Sequence, residues 1–125
     1  MPVFSIPRKT PYFRHAMAKI ITVAFAVAIL LGTLLSTSQI PEISTNDKLA
    51  HFIAFVLLAI PLNTVARSFS IRLNMGFVLF GGAIEMIQPV VGRHGDWLDF
   101  FVDMIGVLVG MILARVIHLA IPQTD

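Results

Sequence analysis

Three short stretches of this sequence carry groups that could do chemistry. NDKLAHF (Asn46–Phe52) holds an acid, a base and an imidazole, and EMIQ (Glu85–Gln88) a carboxylate and an amide. GRHGDWLDFFVD (Gly92–Asp103) adds an Arg, a His and three Asp. Carboxylates close to an imidazole can exchange protons, and Lys48 and Arg93 can hold an anion. For catalysis the candidates are Glu85 or Asp99 as general base with His51 as acid, because burial and neighbouring carboxylates separate pKa values as acid–base chemistry requires. No Ser or Thr stands within these motifs as a nucleophile, which counts against acyl transfer through a hydroxyl. One imidazole and three carboxylates, His51, Glu85, Asp99 and Asp103, would suit Mg²⁺ or Mn²⁺ better than zinc. Their spacing alone establishes no coordination, so neither a metal nor any other cofactor is expected.

The elements that must position these groups are apolar. Of 125 residues, 57% are hydrophobic and 13% charged, against about 25% charged in an ordinary soluble domain. Nucleic-acid binding is excluded by the lack of clustered Lys and Arg, despite a net charge of +2. With no Cys, there is no disulfide, thiolate nucleophile or Cys-based metal site. Four runs, 20–35, 49–66, 71–91 and 98–121, approach the roughly 20 residues that a bilayer core demands. Between them lie STSQIPEISTND, RSFS and QPVVGRHGD, where Pro89 and Gly92 argue for a helix end. The expected fold is all-α, an integral membrane bundle of four transmembrane helices. A cleaved signal peptide is the rival reading of the first run, with Arg8, Lys9, Arg14 and Lys19 as its basic region and Ser36-Thr37-Ser38 as the cleavage site. A retained helix is favoured because the apolar run is long and its leader extended.

Loop charge sets the orientation. Arg8, Lys9, Arg14 and Lys19 precede the first run, Arg67 and Arg72 follow the second, and Arg115 lies near the end of the fourth, against only Lys48 and Arg93 in the other loops. By the positive-inside rule both termini are cytoplasmic. Tyr12 and Trp97 fall near opposite boundaries, as interfacial aromatics do. Residues 1–19 are thus a basic cytoplasmic arm, 20–121 the transmembrane domain and 122–125 a short tail.

In this arrangement the three motifs share the outer boundary, and each occupies one helical stripe: Asp47, His51, Ala54 and Leu58; Asn74, Gly81, Glu85 and Gln88; Asp99, Asp103, Gly106 and Gly110. Asp96 and Asn46 can be explained as N-caps, and Asp47 and Asp99 partly by the same helix-end electrostatics. Glu85 and Asp103 lie too deep for that, roughly 8 to 9 Å inside their spans at about 1.5 Å per residue. Ionisable groups at this depth should face the bundle interior and pair. The plainer alternative is an interhelical hydrogen-bond network that fixes packing, with Gly106 and Gly110 as close-packing residues. Arg115 and His118 are expected to snorkel to the inner interface.

Taken together, NDKLAHFIAFVLLAI and AIEMIQPVVGRHGDWLDFFVDMIGVLVG resemble the VanZ-like membrane protein family. Its pattern runs D-K-x-x-H-F, E-x-x-Q, a G-R turn, then D-x-x-x-(N or D)-x-x-G-x-x-x-G. Asp47, Lys48, His51, Phe52, Glu85, Gln88, Gly92, Arg93, Asp99, Asp103, Gly106 and Gly110 match it, over about half of the chain. Asp103 stands where many members carry Asn. The resemblance implies a multi-pass protein of the bacterial cytoplasmic membrane, in a family named for a member associated with teicoplanin resistance, and it implies no mechanism.

Two helix N-termini, Lys48 and Arg93 converge at the outer face, which suits an anion. The expectation is therefore a cell-envelope protein binding an anionic lipid or lipoglycopeptide-like ligand through Asp47, Lys48, His51, Glu85, Gln88, Arg93, Asp99 and Asp103. The alternatives are a transferase or hydrolase of a lipid-linked phosphate, with binding favoured over turnover, and a scaffold. Expected partners are a membrane lipid or lipid-linked cell-wall component, with a homo-oligomer or an envelope protein as further candidates.

Overall fold

A computed structural model describes residues 11–35, 44–65, 70–91 and 97–121. Among them all regular structure is helical: α1 (Pro11–Leu35), α2 (Ser44–Val65), α3 (Ile71–Ile87), a 3₁₀ turn (Gln88–Val91) and α4 (Trp97–Ala120). Four segments, Tyr12–Thr33, Lys48–Val65, Ile71–Val90 and Trp97–Ala120, are long and apolar enough to cross a membrane. Their polarity is the reverse of a water-soluble bundle. Leu79, Leu108, Ile112 and Leu119 are exposed, whereas His51, Asn63, Asn74, Glu85, Asp99 and Asp103 are buried. Lipid solvates the first group at no cost, and only the protein interior can satisfy the second. The fold supports a multi-pass membrane protein.

Two helices start earlier than the apolar runs suggest. α1 begins at Pro11 rather than at residue 20, since proline suits the first helical position and Ala16, Met17, Ala18 and Lys19 are good helix formers. α2 begins at Ser44 rather than 49, so the acidic and basic residues of NDKLAHF ride on its first turns. At the other end of the polar layer, α3 stops at Ile87 and tightens into the 3₁₀ turn that contains Pro89, a common way for a helix to terminate.

The most extensive interface joins α2 to α4, with α1 against α2 and α3 against α4. Glycine makes the first of these close. A methyl group on Gly110 would stand 2.7 Å from both the Val56 carbonyl oxygen and Ala59 Cβ, and one on Gly106 would stand 2.8 Å from the Phe52 carbonyl oxygen. In lipid, where no hydrophobic force drives helices together, this backbone-to-backbone approach is what generates dispersion contact. Around it sits a core of Phe55, Leu58, Ala59, Phe77, Ile84 and Val107. On α1, Ala18, Thr22, Phe25 and Ile29 turn inward at helical spacing.

The end of the bundle away from the three motifs is tied by amides. Asn63 Nδ2 donates to Asn74 Oδ1 at 2.8 Å and Asn74 Nδ2 returns a bond to Asn63 Oδ1 at 3.0 Å. Each amide also donates to its own helix, Asn63 to the Ala59 carbonyl and Asn74 to the Ser70 carbonyl. Both NH₂ groups are thereby fully used. His118 does not simply snorkel: its Nδ1 donates to the Thr64 carbonyl at 2.8 Å, joining α4 to the last turn of α2. The Ser70 side chain accepts from Leu73 N and caps α3.

The glycine contacts give a direct test. Gly110→Ala should destabilise the bundle by about 1–3 kcal/mol, the usual cost of overpacking. Gly76→Ala, where an added methyl meets nothing within 4 Å, should stabilise it by up to about 1 kcal/mol through helix propensity. Reversible unfolding in mixed micelles, followed by circular dichroism, compares the two. Equal effects would mean that α2 and α4 are not this close.

Candidate functional site

The first turns of α2 and α4 and the last turn of α3 meet at one end of the bundle. Two polar rungs connect α2 to α4. On the outer rung, Lys48 Nζ donates to Asp99 Oδ1 at 2.8 Å. On the inner rung, His51 Nδ1 lies 3.0 Å from Asp103 Oδ1. With Asp103 ionised, the imidazole N–H is the donor. The i, i+3 spacing of Lys48 and His51 faces the i, i+4 spacing of Asp99 and Asp103, so the parallel course of α2 and α4 aligns both pairs at once.

Glu85 enters the inner rung from α3. One nitrogen or oxygen from each of His51, Glu85 and Asp103 lies within 4.8 Å of the others, and all three residues are buried. Asp103 is fully buried, Glu85 and His51 each keep 6% of their surface, and Gln88, the residue that caps the C-terminus of α3, keeps 2%. Gly81 creates the space. A methyl there would stand 3.1 Å from Asp103 Oδ2 and 3.3 Å from the Phe55 ring, so any larger residue would crowd the carboxylate. Residue spacing had placed Gly81 on the polar stripe, but its role as the floor beneath Asp103 depends on how α3 and α4 are rotated.

Of the residues singled out in the sequence, the structure brings together His51, Glu85 and Asp103, sets Lys48 and Asp99 beside them, and buries Gln88 on the Glu85 face of α3. Asp99 does not join the His51 cluster, because Lys48 holds its carboxylate at the rim. The set that the sequence offered as one His with three carboxylates is thus, in the structure, one His with two. Ala54 is half-buried, and the inward position on its turn of α2 belongs to Phe55. Asn46 and Asp47 have helical backbone, but their side chains lie outside the described residues, as do Gly92, Arg93, His94 and Asp96. Sequence reasoning did not identify Asn63, although it repeats the His51–Phe55–Ala59 spacing of four residues. The Lys48–Asp99 pairing was also missed, since Lys48 was assigned to an anion and Asp99 partly to the helix end.

Chemically, the site is a layered one. A cation sits at the rim, its side chain 30% exposed while its Asp99 partner is 5% exposed. Beneath it lies a buried set of one imidazole and two carboxylates. No family model, curated protein or solved structure matches the chain.

The inner rung can be tested by a double-mutant cycle. With chelator present, the coupling energy between His51→Phe and Asp103→Leu should be about 0.6–2 kcal/mol, the range of interhelical hydrogen bonds in membranes. It is measured by unfolding each single and double variant in mixed micelles. Additive single effects would show that the two side chains do not interact.

Proposed function

We propose that this chain is a VanZ-like multi-pass protein of the bacterial cytoplasmic membrane with both termini cytoplasmic. On this reading its polar end faces outward and binds the head group of an anionic envelope lipid or a lipoglycopeptide-like ligand. The observation that carries the reading is the rim pair: Lys48 is held at 2.8 Å by a carboxylate six times less exposed than itself (30% against 5%). A buried anion that pins a half-buried ammonium fixes the cation in place before a ligand arrives, which reduces the ordering cost of binding. Arg93, the following basic residue in the same boundary region, supplies a second charge. The deeper carboxylates argue that the anion stays at the rim, because Glu85 and Asp103 would repel it from the interior. The orientation rests on the distribution of Lys and Arg among the loops. A link to glycopeptide resistance follows from the family resemblance alone.

A second reading has one observation in its favour. An aspartate that fixes one imidazole nitrogen leaves the other to exchange protons, as in His–Asp couples of hydrolases, and His51 with Asp103 has that arrangement. This would serve a transferase or hydrolase of a lipid-linked phosphate. Turnover of a labelled lipid-linked phosphate by purified protein, abolished in His51→Ala, would establish it in place of simple binding. A scaffolding role through the α2–α4 face or with an envelope protein partner predicts neither binding nor turnover.

For the binding reading, Lys48→Gln is made together with Asp99→Asn so that no buried charge is left uncompensated. Arg93→Ala is made separately. Each should weaken binding of a phosphatidylglycerol or lipid-linked pyrophosphate by about fivefold, since a basic residue near an anionic lipid surface contributes about 1 kcal/mol. Native mass spectrometry of the protein released from micelles reads the bound fraction. Undiminished binding by both variants would reject the rim site.

A further inference from the structure

We propose that His51, Glu85 and Asp103 form a binding site for a divalent cation of the Mn²⁺ type, buried between α2, α3 and α4. Three independent observations lead there.

The first is geometric. Each residue comes from a different helix, yet one donor atom of each lies within 4.8 Å of the others, and His51 Nδ1 and Asp103 Oδ1 are already 3.0 Å apart. Ligands about 2.1 Å from a metal lie roughly 3.0 Å apart when adjacent in an octahedron and roughly 3.4 Å apart in a tetrahedron. The His51–Asp103 pair already has the first of these separations, and a small inward shift of Glu85 completes a three-point set. Rotation about the side-chain bonds of glutamate provides that shift without moving α3.

The second is electrostatic. Two carboxylates and one neutral imidazole carry a formal charge of −2, and a divalent ion brings the buried set to zero. In a membrane interior, a metal–carboxylate cluster with no net formal charge is a favourable arrangement.

The third is Gln88. Its Oε1 is buried without a hydrogen-bond partner among the described residues, and the side chain keeps only 2% of its surface. It lies three residues after Glu85, at the C-cap of α3, a spacing that keeps the two on one side. A buried amide oxygen is otherwise satisfied in almost every folded protein, and this one is a neutral donor of the kind that hard cations accept. The donor chemistry, one imidazole nitrogen with carboxylate and amide oxygens, selects Mn²⁺ or Fe²⁺ over zinc sites rich in sulfur and over Mg²⁺ sites built from oxygen and water.

The inference does not depend on the lipid-binding reading. A rim cation that recruits a head group and a buried metal that joins three helices are separable properties. The experiment uses full-length protein purified in detergent, stripped with chelator and titrated with MnCl₂, with bound metal measured by elemental analysis after gel filtration. The expected result is one Mn²⁺ per chain, a rise in unfolding temperature on metal addition, and affinity at least about 10-fold weaker in Glu85→Gln and in Asp103→Asn. That factor follows because even outer-shell changes at metal sites cost about 10–100-fold. The rim variant Lys48→Gln/Asp99→Asn should bind the metal as the parent does, so failure of the lipid reading and failure of this one are told apart. Should the isosteric variants not fold, pulsed electron paramagnetic resonance of the Mn²⁺-loaded parent labelled with ¹⁵N-histidine decides the matter. A ¹⁵N coupling supports the site and its absence overturns it. Substoichiometric Mn²⁺ in the parent, or equal retention by folded Glu85→Gln and Asp103→Asn, likewise overturns it.

Discussion

An ionised side chain inside a hydrocarbon layer is tolerated only if the protein supplies what water would have supplied, and this requirement organises the whole molecule. α2, α3 and α4 each carry an acid or a base a turn or more into an apolar segment. None can turn that face to lipid. The three polar stripes must therefore meet, which fixes the rotation of each helix about its axis and the antiparallel order of the bundle. The apolar core formed by Phe55, Leu58, Phe77 and Ile84 then falls between two polar tie points, with the His51 rung at one end and the Asn63–Asn74 pair at the other. Dispersion contact fills the space, but the polar groups decide which faces fill it.

The two tie points differ in kind. The amide pair uses neutral groups whose donors are all satisfied within α2 and α3, so it holds the helices without creating a charge that must be balanced. Among the described residues the opposite end sets three carboxylates, Glu85, Asp99 and Asp103, beside Lys48 and His51. An assembly concerned only with packing would have no need for buried ionisable groups there, since a second amide pair would hold the helices as well. The acidic end is where the structure departs from economical packing, and departures of this type mark functional ground.

Much of this architecture was legible in the sequence. The stripes Asn74–Gly81–Glu85–Gln88 and Asp99–Asp103–Gly106–Gly110 were readable from the 3.6-residue period, and every one of those eight residues is buried. Helical period encodes which side of a helix turns inward. It does not encode which residue on the next helix lies opposite, because a pairing such as Lys48 with Asp99 depends on the relative height and rotation of two separate segments. The early start of α1 at Pro11 escaped for another reason: hydropathy detects the part of a helix that suits lipid, and helix propensity continues past it into polar sequence. Asn63 was overlooked because a lone amide in an apolar run has no local signature until its partner 11 residues away is brought beside it.

The close contact at Gly106 and Gly110 also determines how anything reaches the buried polar layer. Where an added methyl would already stand 2.7 Å from the backbone of α2, no hydrocarbon chain can slide between α2 and α4 at that level. α2 and α3 share much less contact, and α3 brings Glu85 and Gln88 to the layer. Between α2 and α3 the hold is of another kind, a pair of amides at one end and the buried layer at the other, so the two sides of α2 are joined by different physics.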